Sequence, residues 1–174
     1  MKKILLTILL GVSFYGFSQD VKFGVRGGYN ISNLDFKEKP TMENKHRNSF
    51  YIGFFSDINF SKGFSLVPEL QFSAEGAKEE ALNLDYIQMP VILKFRLAEK
   101  FRFGVGPQVG LKVHKEGDMM KNFAYSGVAG LEYKINYGLF ADVRYTYGFS
   151  NVFDDNVNPE AINTNIQIGV GYKF

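Results

Sequence analysis

Apolar and polar residues alternate one for one along most of this sequence. In its final stretch Ile166, Ile168, Val170, Tyr172 and Phe174 fall on one face, and Asn165, Gln167, Gly169, Gly171 and Lys173 on the other. A period of two marks a strand lying between two unlike surroundings. The same pattern predicts eight strands, over residues 21–31, 50–60, 64–73, 84–97, 101–112, 123–133, 138–148 and 163–174. In the first, Val21, Phe23, Val25, Tyr29 and Ile31 oppose Lys22, Gly24, Arg26, Gly28 and Asn30; in the fourth, Ile87, Met89, Val91, Leu93, Phe95 and Leu97 oppose Tyr86, Gln88, Lys94 and Arg96. Two positions do not fit. Pro68 cannot donate to a ladder, so it is read as a bulge. Val128 puts an apolar residue on the polar face of the sixth strand.

The connections alternate in length. Residues 32–49, 74–83, 113–122 and 149–162 are long and polar, whereas 61–63, 98–100 and 134–137 are tight turns. Eight antiparallel strands with both chain ends on the tight-turn side produce that order. The expected fold is all-β, an eight-stranded antiparallel up-and-down transmembrane β-barrel with short turns on one side and long loops on the other. A water-soluble lipocalin has as many strands, and the polar face discriminates between the two. That face carries ten strand glycines, Gly24, Gly28, Gly53, Gly104, Gly106, Gly110, Gly130, Gly148, Gly169 and Gly171. An eight-stranded barrel is only just wide enough inside for its own side chains. Glycines there leave room for long polar residues, so a lumen network of Arg26, Asp57, Glu69, Gln71, Arg96, Arg102, Asp142 and Arg144 is expected. Unpaired charge in so narrow a space would be costly, hence a hydrogen-bonded set. Phe60, Phe64, Phe101, Tyr133, Tyr172 and Phe174 gather at the tight-turn ends, and Tyr29, Phe50, Phe72, Phe123, Tyr145 and Tyr147 towards the loops. Two such belts are expected at two membrane interfaces.

The start of the chain differs. Met1-Lys2-Lys3 precedes an apolar run from Ile4, and Gly16 and Ser18 are small residues before Gln19. This reads as a secretory signal peptide over residues 1–18, with the barrel domain over 19–174. Lys2 and Lys3 then account for the formal charge of +2, so the exported chain is neutral. No basic run is interleaved with stacking aromatics, which argues against nucleic acid. The absence of cysteine excludes disulfides and Cys-based zinc sites. No later segment is apolar enough for a spanning helix, so a membrane role requires a closed barrel.

Several stretches carry a family resemblance: Val67-Pro68-Glu69-Leu70-Gln71-Phe72-Ser73, Tyr86-Ile87-Gln88-Met89-Pro90-Val91-Ile92-Leu93-Lys94-Phe95, Gly104-Val105-Gly106-Pro107, Arg144-Tyr145-Thr146-Tyr147-Gly148 and Gly171-Tyr172-Lys173-Phe174. On these the chain resembles the small outer-membrane β-barrel proteins of Bacteroidota, of the porin-family or PorT-like type, similar in architecture to OmpX and the OmpA barrel. The resemblance implies residence in the outer membrane, with membrane lipid and the barrel-assembly machinery as partners. It makes Ile168, Val170, Tyr172 and Phe174 a C-terminal assembly signal. It implies no shared catalytic motif and no cofactor.

Candidate chemistry is sparse. His46 and His114 fall in predicted loops, with Ser49 and Ser126 as conceivable nucleophiles, and nothing in the sequence brings a base and a nucleophile together. Asp154-Asp155-Asn156-Val157-Asn158 begins like a calcium loop, but Pro159 stands where the sharp turn needs glycine and the closing Glu is missing. An acidic turn is the simpler reading. The functional expectation is a non-enzymatic barrel with an architectural, adhesion or loop-mediated binding role. A narrow solute channel and a lipid-modifying hydrolase are the alternatives. The loop-length pattern also orients the chain. A cysteine placed at Lys45 should react with an impermeant label on intact cells, and one at Lys62 or Glu99 should not; the opposite result inverts the orientation.

Overall fold

The structure, a computed structural model, describes residues 20–37, 45–79, 82–113, 120–153 and 160–174. The leader predicted over residues 1–18, His114 and the acidic stretch 154–158 lie outside the described residues. Eight strands follow in order: β1 (Asp20–Phe36), β2 (Arg47–Asn59), β3 (Phe64–Gly76), β4 (Asn83–Arg96), β5 (Phe101–Lys112), β6 (Phe123–Lys134), β7 (Leu139–Gly148) and β8 (Ala161–Lys173). Each pairs antiparallel with the next, and β1 pairs with β8 from Gly24↔Lys173 to Phe36↔Ala161. The sheet therefore closes on itself as an up-and-down barrel.

The two faces are inverted relative to a water-soluble protein. Phe54 is 64% exposed and Met89 57%, whereas Arg26 is 2% exposed and Asp57 1%. Burying charge while exposing large apolar side chains is the arrangement for a hydrocarbon solvent outside and a polar interior within. A lipocalin would show the reverse. Around the tight-turn end the outward aromatics touch in sequence across strands. The ring centroids of Phe60 and Phe64 lie 5.6 Å apart, those of Phe64 and Phe95 5.4 Å, and those of Phe101 and Tyr133 5.0 Å.

The strands differ from the sequence expectation in three respects. First, β1 runs on to Phe36 and β8 begins at Ala161, so part of the first and of the last long connection is strand. The alternation persists there, with Ser32 and Leu34 turned inward and buried, although the polar composition conceals it. β3 likewise continues to Gly76, whose φ of 92° and whose approach to the Leu82 carbonyl, 2.1 Å from an ideal Cβ, require glycine. Second, Pro68 makes no bulge. Phe55↔Glu69 and Ile58↔Leu66 keep a single register on either side of it, so no residue is inserted and only the ladder is interrupted. Third, Val128 does not break strand β6. It points inward and is buried with Phe55, Val67, Ile92 and Phe140.

That cluster shows the interior is not uniformly polar. A second one, including Leu34, Leu84, Tyr86, Met120 and Phe153, fills the barrel towards the long loops. Several lumen glycines make room for these large side chains. A Cβ on Gly24 would stand 2.4 Å from the Phe55 ring, and one on Gly171 2.2 Å from the Phe140 ring.

The face assignment has a direct test in β8. Ile168 is 52% exposed on the outer face, while Gln167 is 1% exposed inside. A lysine on the lipid face costs about 2–4 kcal/mol near the midplane and less towards the interface. Ile168→Lys should therefore lower assembly and heat resistance, measured as the shift between unboiled and boiled bands on a detergent gel. Val170→Lys should do so less. An Ile168→Lys variant that assembles as well as the parent would mean the faces are reversed.

The charged lumen as candidate functional site

Period two places Arg26 on the inner face of β1, Glu69 and Gln71 on β3, Asp142 and Arg144 on β7, and Gln167 on β8. The narrowness of the barrel brings them together. Arg26 donates from Nε to Asp142 Oδ2 at 3.0 Å and from Nη2 to Asp142 Oδ1 at 3.0 Å, a bidentate pair. Its Nη1 donates to Glu69 Oε1 at 2.9 Å, to Gln71 Oε1 at 3.0 Å and to Gln167 Oε1 at 3.2 Å. Its Nη2 also donates to the Tyr51 hydroxyl at 2.8 Å, and the guanidinium carbon sits 4.3 Å from the centre of the Tyr51 ring. Arg144 completes the ring of charges, with Nη1 2.8 Å from Glu69 Oε2 and Nε 3.3 Å from Asp142 Oδ2. Two cations and two carboxylates thus neutralise one another in the absence of solvent. Gly169 lets Tyr51 in, because a Cβ there would lie 2.0 Å from its hydroxyl.

A second chain of ion pairs lies nearer the tight turns. Lys94 Nζ is 2.5 Å from Glu132 Oε2, Lys173 Nζ is 2.6 Å from Glu132 Oε1 and 2.8 Å from Asp57 Oδ2, and Arg102 Nη1 is 3.2 Å from Asp57 Oδ2. The Phe55 and Phe140 rings, 5.8 Å apart and edge to face, stand against this chain. Lys94 Nζ lies 5.7 Å from the centre of each ring. A third centre lies towards the loops. Glu75 is fully buried and accepts from Ser73 Oγ, Gln88 Nε2, Asn165 Nδ2 and Asn163 Nδ2 at 2.7, 2.9, 3.0 and 2.5 Å. Among the described residues, no cation bonds its carboxylate.

Of the residues the sequence nominated, Arg26, Glu69, Gln71, Asp142 and Arg144 meet in one network, and Asp57 and Arg102 meet in another. Arg96 joins neither. It faces inward, but at the last residue of β4 it stands in the open mouth, where Nε donates to the Ala98 carbonyl at 3.3 Å. Sequence reasoning overlooked Tyr51 and Glu75. Tyr51 is in phase with Gly53, Phe55 and Asp57. Glu75 continues the inward series Glu69, Gln71, Ser73, two residues beyond the end predicted for the third strand. The conceivable nucleophiles are engaged otherwise: the Ser49 hydroxyl donates to the Ala74 carbonyl at 2.5 Å, and the Ser126 hydroxyl accepts from Gln108 Nε2 at 3.2 Å.

Little space remains between these groups. Two lumen cavities, one beside Glu75 and Gln108 and one beside Ile92 and Arg144, have volumes of about 20 Å³ and about 10 Å³. Each is on the order of the space one water molecule needs. Chemically, the interior is a set of ion pairs and hydrogen-bonded amides that holds the wall at a fixed diameter, with single atoms such as Asp57 Oδ1 and Arg144 Nη2 left over. Removing one member strands its partners. Asp142→Ala should destabilise the folded barrel by about 3–5 kcal/mol, because Arg26 and Arg144 lose a buried counter-ion. Pairing it with Arg144→Leu restores the charge balance and should recover part of that loss. Denaturant titration followed by gel mobility checks both; a single variant as stable as the parent would deny the network any structural role.

The sequence matches the family model for the outer membrane protein beta-barrel domain over residues 17–154. Among curated proteins nothing matches. Ail, the attachment invasion locus protein of Yersinia pestis, superposes with a TM-score of 0.56 at 15% identity, covering 88% of this chain and 98% of that one. Neisserial surface protein A superposes with a TM-score of 0.60 at 12% identity, covering 87% and 97%. A designed transmembrane β-barrel superposes with a TM-score of 0.52 at 11% identity, covering 88% and 95%. At these identities the likeness concerns the fold.

Proposed function

We propose, from the premise that this chain belongs to the outer membrane protein beta-barrel domain family, that it is a non-enzymatic barrel closed to solutes, whose role is architectural, adhesive or binding through its loops. The observation that carries this reading is the pair of carboxylates shared between Arg26 and Arg144, with the Phe55–Phe140 layer beside them. A hydrated ion would have to break bidentate, desolvated ion pairs to pass, and no transport step restores them. The finer kinship with the PorT-like barrels of Bacteroidota rests on the motifs around Pro68, Pro90 and Pro107 and on the stretches 144–148 and 171–174. Within the same reading, residues 1–18 direct export, membrane lipid surrounds the apolar face, and the barrel-assembly machinery takes up Ile168, Val170, Tyr172 and Phe174.

With the lumen filled, contacts with other molecules fall to the two ends of the barrel. The likeness to Ail carries the shape of such a protein and names no partner for this one. The test is conductance. The refolded barrel in a planar bilayer should give no steady channel, while Asp142→Ala combined with Phe140→Ala, which thins the plug, should give brief openings. Stable, ion-selective steps of large conductance from the unmodified protein would overturn the closed-barrel reading in favour of a channel.

A further inference from the structure

At the tight-turn mouth, register places two like charges face to face. Arg96 on β4 is the direct partner of Arg102 on β5. Directly opposed residues have Cβ atoms about 5 Å apart, and like charges so placed destabilise a sheet. Arg102 is partly offset by Asp57, on which Lys173 also draws. Arg96 makes no ion pair among the described residues, and of its five N–H groups only Nε–H has a partner, the Ala98 carbonyl. An anion between the two guanidinium groups would offset that repulsion.

The surroundings reinforce this. Both arginines line a cavity of about 250 Å³ that opens at the tight-turn end, together with Lys22, Lys100, Lys134 and Lys173. Six cations on that lining face four carboxylates, Asp20, Asp57, Glu99 and Glu132. Asp57 and Glu132 are each already shared by two cations, and Asp20 is drawn to Lys22. Arg96, Lys100 and Lys134 are left with Glu99 alone. The outward aromatics Phe95 and Phe101 immediately flank the two arginines and set them at the height of lipid headgroups. Guanidinium forks match the tetrahedral oxygens of phosphate in bidentate fashion.

We propose that the tight-turn mouth is a phosphate-binding site, with the phosphate held between Arg96 and Arg102 and backed by Lys100 and Lys134. The phosphate belongs either to a lipid headgroup of the adjoining leaflet or to a free phosphate compound. The site is independent of whether the lumen conducts.

The refolded full-length barrel in a non-ionic detergent is titrated with sodium pyrophosphate at constant ionic strength by calorimetry. In parallel, native mass spectrometry counts the phosphatidylglycerol molecules retained after detergent exchange. One pyrophosphate or one phospholipid per barrel is expected. Arg96→Gln should weaken binding by about tenfold or more, and Lys78→Gln at the opposite end should leave it unchanged. Pyrophosphate binding identifies a free phosphate as the ligand; retained lipid without pyrophosphate binding identifies the headgroup. Arg96 is exposed, so its variant should keep the heat-modified gel shift of the parent. Absence of saturable binding in both arms would overturn the proposal, as would equal weakening by Lys78→Gln.

Discussion

Closure of the sheet is the constraint on which the rest of this structure depends. In hydrocarbon, a strand edge has no water to bond with, and each unmet amide costs several kcal/mol. β1 meets that demand by pairing with β2 on one side and with β8 on the other, over thirteen residues in each case. Eight strands leave an interior scarcely wider than a side chain. Everything inside follows from that width. Polar residues set inward by the alternation have no solvent, so they must satisfy one another. Large rings fit only where the facing residue is glycine, as with Phe55 against Gly24 and Phe140 against Gly171.

Within that narrow space three polar centres use different chemistry. Arg26, Glu69, Asp142 and Arg144 balance charge for charge. The chain from Lys94 to Arg102 carries one more cation than it has carboxylates, and it is the part that opens to solvent. Among the described residues, Glu75 is held by neutral donors. The interior therefore grades from a neutral-donor carboxylate near the loops, through a balanced network, to a cationic mouth at the tight turns.

Much of this was legible in the sequence, because period two is the same signal whether the strand is soluble or embedded. The inward placement of Arg26 and Asp142 follows from alternation, and the lumen follows from the crowding of glycines on one face. What alternation cannot show is height along the barrel axis. Arg96 and Lys94 share a face, yet Lys94 is enclosed and Arg96 stands in the mouth, two residues nearer the turn. Nor does it reveal apolar residues set inward. Val128 looked like an error in the pattern and is part of a plug, because its partners Phe55, Val67, Ile92 and Phe140 come from four other strands. Strand ends were the other weak point. Residues 32–36 carry Ser32, Asn33 and Asp35, and residues 161–162 are too few to show alternation, while pairing between β1 and β8 keeps both extended.

The Arg26 network has a consequence for how the chain matures. Its members come from β1, β2, β3, β7 and β8, and Asp142 is 116 residues from Arg26 along the chain. No hairpin of neighbouring strands contains both partners, so the bidentate Arg26–Asp142 pair forms only after the first and last parts of the chain have found each other. Contacts so distant in sequence form slowly. Until then, Arg26 has at most Glu69 as a counter-ion and Asp142 has only Arg144, so the charges face a nascent membrane interior incompletely paired. The network thus makes partly inserted sheets poor resting states and the finished barrel a sharply defined one. In that sense these buried charges act as a checkpoint on assembly, passed in one cooperative step when the last strand arrives.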